Sequence, residues 1–281
     1  MQGDLLKKGG NPSDHFFIDA GSKAKWGNFK WAKRITIPSL VDHKKYPLLQ
    51  AAISGKQVTA LRIDFVPVDL GEKGLSELSS VLGALMPDGW GYFVKHGRLT
   101  RIDVAVDFPK VLIDDFHFLP LQAATTKQWR VNGKLETYTH GKPAGNHTAI
   151  YDRKTKRIAQ GKSWIGKEGM RIERRMKPPS IAKLTDLVKL PNPFKSMRLV
   201  SMPTAPPAEQ TKMLYVWDLF RRAADAEGLV GALALLPEEK RTLYRKHLDA
   251  NTQPWWNPDA IWKNWPKMLD ELKIGTKSAW Q

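Results

Sequence analysis

Apolar and polar positions alternate most cleanly over Leu99-Thr-Arg-Ile-Asp-Val-Ala-Val-Asp-Phe108, the pattern of a half-buried β-strand. Side chains alternate across a strand, so Ile102, Val104, Val106 and Phe108 point into a core. Arg101, Asp103, Ala105 and Asp107 then share the open face. The two carboxylates stand roughly 13–14 Å apart along an ideal strand.

Elsewhere the pattern is more mixed. Residues 1–34, with Trp26, Phe29 and Trp31, read as a basic arm or an irregular first strand. Arg34–Pro38 reads as a short strand, Tyr46–Ile53 as a short helix and Val58–Val68 as a strand around Leu61-Arg-Ile-Asp-Phe65. Leu75, Leu78, Leu82 and Leu85 recur at helical spacing, and Pro87-Asp-Gly-Trp90 closes that helix as a turn. Trp90–His96 is expected as a further strand, and 111–125 is ambiguous. Trp129–Thr139 and His147–Arg153 are expected to pair across a Gly141–Gly145 turn, with Gly169–Lys177 another strand. Ile181–Leu190 predicts a helix with Ser180 as its cap.

Pro191, Pro193, Pro203, Pro206 and Pro207 then mark a candidate boundary. Beyond it the pattern is helical: Met213, Val216, Trp217 and Phe220 on one face with a stop at Gly228, then Glu238–Leu248 and Pro258–Leu272. Trp255, Trp256, Trp262 and Trp265 suit a core better than base stacking, because tryptophan is usually mostly buried. The expected fold class is α+β: a mostly antiparallel sheet with helices packed on one side, followed by a helical C-terminal region. The expected domains are a basic α+β catalytic and DNA-binding part over 1–200 and a helical part over 201–281. The triplets Arg62-Ile-Asp64, Arg101-Ile-Asp103 and Arg171-Ile-Glu173 leave open an internally duplicated unit, with chance as the competing explanation.

Charge sharpens this picture. The chain has 281 residues, 45 Lys+Arg against 28 Asp+Glu and a formal net charge of +17. Residues 1–200 hold 34 basic and 18 acidic side chains, and 201–281 hold 11 and 10. An excess of that size attracts a polyanion, most commonly nucleic acid. There are no cysteines, which excludes disulfides and thiolate metal sites. The first residues lack the apolar run of a signal peptide, and no stretch approaches the ~18–20 apolar residues of a membrane span. A soluble, cytoplasmic protein without a membrane partner is expected.

Asp103, Asp107 and Glu173 are candidate ligands for a hard divalent ion, Mg²⁺ or Mn²⁺, of the kind that clamps a scissile phosphate. The competing assignment for each is an ion pair with a neighbouring arginine. Tyr151 is followed by Arg153, Lys154, Lys156 and Arg157, and a tyrosine amid cations can attack phosphorus. His147, on the same expected face, is a candidate ligand or base. Arg171, Arg175 and Lys177 complete the expected phosphate-binding set. The chain has no His-x-His pair and no Gly-x-x-x-x-Gly-Lys-Ser/Thr loop, which argues against histidine-metal nickases and nucleotide hydrolysis.

Leu99–Phe108, then Ala149-Ile-Tyr-Asp-Arg153, then Met170-Arg-Ile-Glu-Arg-Arg175 occur in that order. Together they resemble the replication initiation factor family of rolling-circle plasmid initiators, filamentous-phage replication proteins and related relaxases. The resemblance covers roughly 95–180 well and the flanks loosely. It implies a metal-dependent nickase of bacterial cytoplasm that cuts one DNA strand at an origin. Such a nickase keeps a 5′-phosphotyrosine bond and leaves a 3′-hydroxyl to prime synthesis. By position, Tyr151 would be the nucleophile, and Asp103, Asp107 and Glu173 the metal carboxylates. The DNA partner would be a single-stranded or hairpin origin region, with a host helicase and a homodimer as further open partners. The chain departs from the family pattern where Tyr-Asp-Lys is usual. Arg153 replaces that lysine, Lys154-Thr-Lys156 offers no acid, and Tyr138 becomes a reserve nucleophile. The alternative is a DNA-binding replication or copy-control protein without catalysis.

Overall fold

The computed structural model describes residues 17–21, 27–86, 88–122, 125–142, 145–161, 163, 166, 168–177 and 182–272. The chain is mixed α+β with antiparallel sheets and a C-terminal helical region. It divides into two compact units that interleave along the sequence rather than separating at residue 200. One draws on Met1–Arg98, Lys183–Lys189 and Trp265–Gln281, the other on Leu99–Ala182 and Leu190–Asn264.

In the first unit, β1 (Phe17–Asp19), β2 (Phe29–Ile35), β3 (Leu48–Ser54) and β4 (Gln57–Asp64) form an antiparallel meander. Two helices follow, α1 (Pro67–Leu85) and α2 (Gly89–His96). Ile35, Ile37 and Leu49 bury against Leu70, Leu75, Leu78, Leu82 and Trp90. Two expectations are corrected here. The run at 46–53 is strand β3 rather than a helix. It pairs with β2 on one side and β4 on the other, and Leu49, Gln50, Ala51 and Ala52 are all buried. Apolar on both faces, it lacks the alternation of a half-buried strand, and its Leu and Ala residues favour helix in isolation. Conversely, Trp90–His96 is helical: its aromatics mimic a strand, but Trp90 and Phe93 pack one turn apart with ring centroids 5.1 Å from each other.

The second unit holds a five-stranded antiparallel sheet built from β5 (Ile102–Pro109), β7 (Thr126–Val131), β8 (Lys134–Gly141), β9 (His147–Asp152) and β10 (Gly169–Met176). Its spatial order is β5-β10-β9-β8-β7. The separate pair β6 (His117–Pro120) and β11 (Met197–Val200) lies in the same unit. The stretch expected as one strand from Trp129 to Thr139 is a hairpin instead. Asn132 and Gly133 both take positive φ, 51° and 80°, in the two-residue turn that suits the twist of paired strands. The short helix α3 (Arg153–Ala159) connects β9 towards β10.

Helices α4 (Leu214–Ala234), α5 (Glu238–Ala250) and α6 (Pro258–Trp262) belong to this second unit. The buried stripe Trp217, Phe220 and Ala224 packs with Leu119, Val200, Tyr244 and Leu248. Two helices alone could not cover such a stripe, which is why this segment joins the sheet's unit. Gly228 kinks α4 at φ 81° rather than ending it. The expected Pro258–Leu272 helix breaks into α6 and α7 (Trp265–Glu271), the latter in the first unit. Residues 184–189 form a short 3-10 segment, and the expected cap Ser180 lies outside the described residues. Trp256 and Trp265 are buried, whereas Trp255 is exposed against Phe108 and Phe116. The three Arg-Ile-acid triplets occupy non-equivalent places, in edge strand β4, at the start of edge strand β5 and in interior strand β10.

The buried face of the five-stranded sheet carries a pH prediction. Burial pushes His140 down to about 4, with Arg174 and His147 acting in the same direction. His140 stays neutral in the fold down to that value but takes a proton near 6.5 when unfolded. Its contribution is therefore intact above pH 6.5 and is lost as pH falls towards 4, up to about 3 kcal/mol. Thermal melts from pH 7 to 4 should show that decline, and His140→Gln should flatten it. An unchanged slope in the variant would assign the acid sensitivity elsewhere.

Candidate functional site

The site is the face of the sheet opposite Tyr138. Register places Asp107 beside Arg171, Arg171 beside Tyr151, Asp103 beside Arg175, and Arg175 beside His147. Glu173 sits between Ala105 and Ala149. Directly paired residues share a face, so Asp103, Asp107, His147, Tyr151, Arg171, Glu173 and Arg175 all emerge on one side, as their alternation predicts.

Tyr151 is the centre of this face. Its hydroxyl donates to Glu173 Oε2 at 2.9 Å, and its side chain is 6% exposed. Burial, then the Glu173 carboxylate, push its pKa well above the usual phenol range, with Arg171 pulling the other way. At neutral pH the hydroxyl therefore keeps its proton.

The chain turns sharply after Tyr151. Asp152 caps α3 by accepting from the Thr155 backbone N–H at 2.6 Å. Helix therefore begins at Arg153, where sequence periodicity extends the strand. That turn brings Arg153 to within 3.0 Å of Asp107 and swings Lys156 back until its Nζ lies 3.4 Å from the Tyr151 ring centroid. So α4 covers one face of the sheet and the shorter α3 rides on the other. Burial lowers the pKa of Lys156.

The acids are matched by arginines. Arg171 grips Asp107 through both oxygens, at 2.7 and 2.8 Å. Arg101 grips Asp103 the same way, both contacts at 3.0 Å, with Arg175 Nε at 3.4 Å. These pairs are partly exposed, so each adds little stability but fixes its guanidinium in orientation. A pocket of about 200 Å³ opens beside them, lined by Asp107, Phe108, Pro109, Arg153, Gly169 and Met170.

Three carboxylates hold Mg²⁺ or Mn²⁺ by converging at about 2.0–2.2 Å from one point. Here Asp103 and Asp107 are committed to separate arginines and Glu173 to Tyr151. Among the described residues no three His, Cys, Asp or Glu side chains form such a group. In this arrangement the trio does not fit a metal centre, although all three acids share the expected face. His147 lies four residues from Tyr151 on the same strand, about 13 Å away, too far to take its proton. Burial and Arg175 lower its pKa.

The expected phosphate-binding residues divide. Arg153, Lys156, Arg171 and Arg175 line the site. Lys154 pairs with Glu168 at its margin, Arg157 Nε donates to the Ser163 carbonyl at 3.2 Å, and Lys177 lies at the end of β10. Tyr138 is not accessible as a reserve nucleophile. It is 1% exposed on the opposite face, packed on Phe118 at 5.0 Å with its hydroxyl donating to the Phe118 carbonyl at 3.4 Å. The position of Lys156 over the ring escaped the periodicity reading, although an Asp preceding a run of helix formers was its signal. Glu168 had no signal, because its partner is fixed only by the course of the loop.

No family model matches the chain, and no curated protein matches it. Among the described residues no helix is long and apolar enough to cross a membrane.

Proposed function

We propose that this chain is a bacterial cytoplasmic DNA-nicking and rejoining protein that starts rolling-circle replication, with Tyr151 as nucleophile. The observation that carries this reading is the Tyr151–Glu173 hydrogen bond of 2.9 Å on a sheet face rich in arginine and lysine. A phenol that keeps its proton can attack only if the proton leaves as the new bond forms. Glu173 is the acceptor already in place. The Tyr151 oxygen bonds to phosphorus as the bond from phosphorus to the 3′-oxygen breaks. The phenolic proton passes to Glu173, and the leaving 3′-oxygen takes a proton from solvent water as it departs. Arg171, Arg153 and Lys156 line the same face and would meet the phosphate oxygens as charge builds on them. Lys156 lies across the ring face, so a phosphate approaching this phenol would meet its ammonium group.

A divalent ion, Mg²⁺ or Mn²⁺, enters this reading through the family resemblance and would supply neutralisation of the scissile phosphate. No step above depends on it. The burial of Tyr151 favours a second reading, a DNA-binding replication or copy-control protein that does not cut.

One experiment separates the two. Full-length protein is incubated with supercoiled DNA of the replicon that encodes it, with Mg²⁺, with Mn²⁺ and with a chelator. Relaxed circles bearing covalently attached protein are expected. Retarded but still supercoiled DNA under every condition would favour binding without cleavage. An adduct formed in chelator would show that the protein side chains suffice. Binding in either case should weaken steeply with salt, since each neutralised phosphate releases counterions.

A further inference from the structure

One aromatic on the Tyr151 face has no part in that chemistry. Asp107, Arg171, Tyr151, Thr137 and Trp129 are successive register partners across all five strands. Trp129 therefore emerges from the same face as Tyr151, two strands away, or roughly 10 Å at 4.7–4.9 Å per strand. It is 48% exposed, unlike Trp217, which is 1% exposed and stacked on Phe220. Between Trp129 and the Tyr151 strand the face is paved by Thr137 and Thr139, with Ala149 next on the Tyr151 strand itself, side chains too short to cover an indole. Lys127, exposed and two residues before Trp129, stands on this face opposite Thr139. Helix α4 covers the other face, where Gln128 and Tyr138 approach Gly228.

A lone exposed apolar side chain is ordinary. Its alignment with Tyr151, with cations at both ends of the row, distinguishes Trp129. We propose that Trp129 is a stacking platform for an unpaired nucleobase. The row from Asp107 to Trp129 is then a track for single-stranded nucleic acid, with phosphates near Arg171, Arg153 and Lys156 and a base on the indole. Ten ångströms corresponds to about three stacked nucleotides at ~3.4 Å each, so the platform would seat a base near the cut rather than the one being cut. Sheet aromatics with flanking cations are a recurring solution to this task, because every base offers a flat π-face. The inference rests on the nucleic-acid reading above and adds to it a place where an unpaired base is held.

The test measures affinity for a short oligothymidylate and for an abasic oligonucleotide of equal length, which keeps the phosphates and lacks the bases. Trp129→Ala should weaken oligothymidylate binding roughly 5- to 150-fold and leave abasic binding unchanged, while Trp129→Phe retains most of the affinity. Equal affinity of wild type and Trp129→Ala for oligothymidylate overturns the platform but leaves the nucleic-acid reading standing. Equal loss on both oligonucleotides also overturns it, because a general electrostatic or structural role would act that way. Failure of the wild type to bind either one overturns both readings.

Discussion

Tyr151→Phe should lose the covalent protein–DNA adduct, with cleavage falling by roughly 10⁴-fold or more, while DNA affinity changes less than about threefold. Only one oxygen is removed. The ring remains under Lys156 and in the interior strand β9, so the basic face keeps its shape. The loss leaves Glu173 without its hydroxyl partner, at a stability cost on the order of 1–2 kcal/mol, which a thermal melt would register without unfolding. Denaturing electrophoresis of protein trapped on labelled single-stranded DNA reads the adduct directly. An adduct of undiminished yield in Tyr151→Phe would assign the attack to another residue. Tyr138 would be a poor substitute, because its hydroxyl is sealed among Phe118 and its own strand neighbours.

Glu173→Gln tests the other half of the pair. Glutamine preserves the side chain's size and an oxygen that can accept from Tyr151, but it cannot carry the proton away. Cleavage should fall about 10²- to 10⁴-fold, the usual contribution of a positioned base, and DNA binding should hold or tighten as a negative charge leaves a basic face. The split between cleavage and affinity is the informative readout. A metal-ligand role predicts that excess Mn²⁺ partly restores the variant, whereas a base role predicts recovery only as rising pH makes the phenol easier to ionise. Wild-type cleavage rates in Glu173→Gln would remove the carboxylate from the mechanism.

The parts of the site legible in the sequence were those governed by strand alternation. Asp103, Asp107, Tyr151 and Glu173 fall on one face because a period of two leaves no other choice once the strands pair. What alternation could not reveal was the partner of each acid. Arg171 reaches Asp107 across a strand boundary, 64 residues away in sequence, whereas Arg62 pairs with Asp64 and Arg101 with Asp103 within their own triplets. Asp103, Asp107 and Glu173 do not converge on one point for the same reason: a shared face sets direction, not distance. Helix and strand were exchanged at 46–53 and 90–96, both short and apolar, where periodicity carries little information and tertiary contacts decide. The hairpin at Asn132-Gly133 was different, since the dipeptide itself carried the signal.

The hydrogen bond from the Trp265 indole to the Leu187 carbonyl, 2.8 Å long, has a consequence for how the molecule is made. Both residues belong to the unit that otherwise draws on the first 98 positions. A ribosome releasing the chain in order finishes the whole second unit before it delivers α7 to the first. The 184–189 segment that α7 packs against must therefore wait for that partner while residues 190–264 are made, at about 5–20 residues per second. A nascent chain halted in the proline-rich stretch would expose apolar surface in both units at once. Such half-made chains are natural clients for holding chaperones, and gene fragments cut there should yield insoluble pieces rather than two working modules.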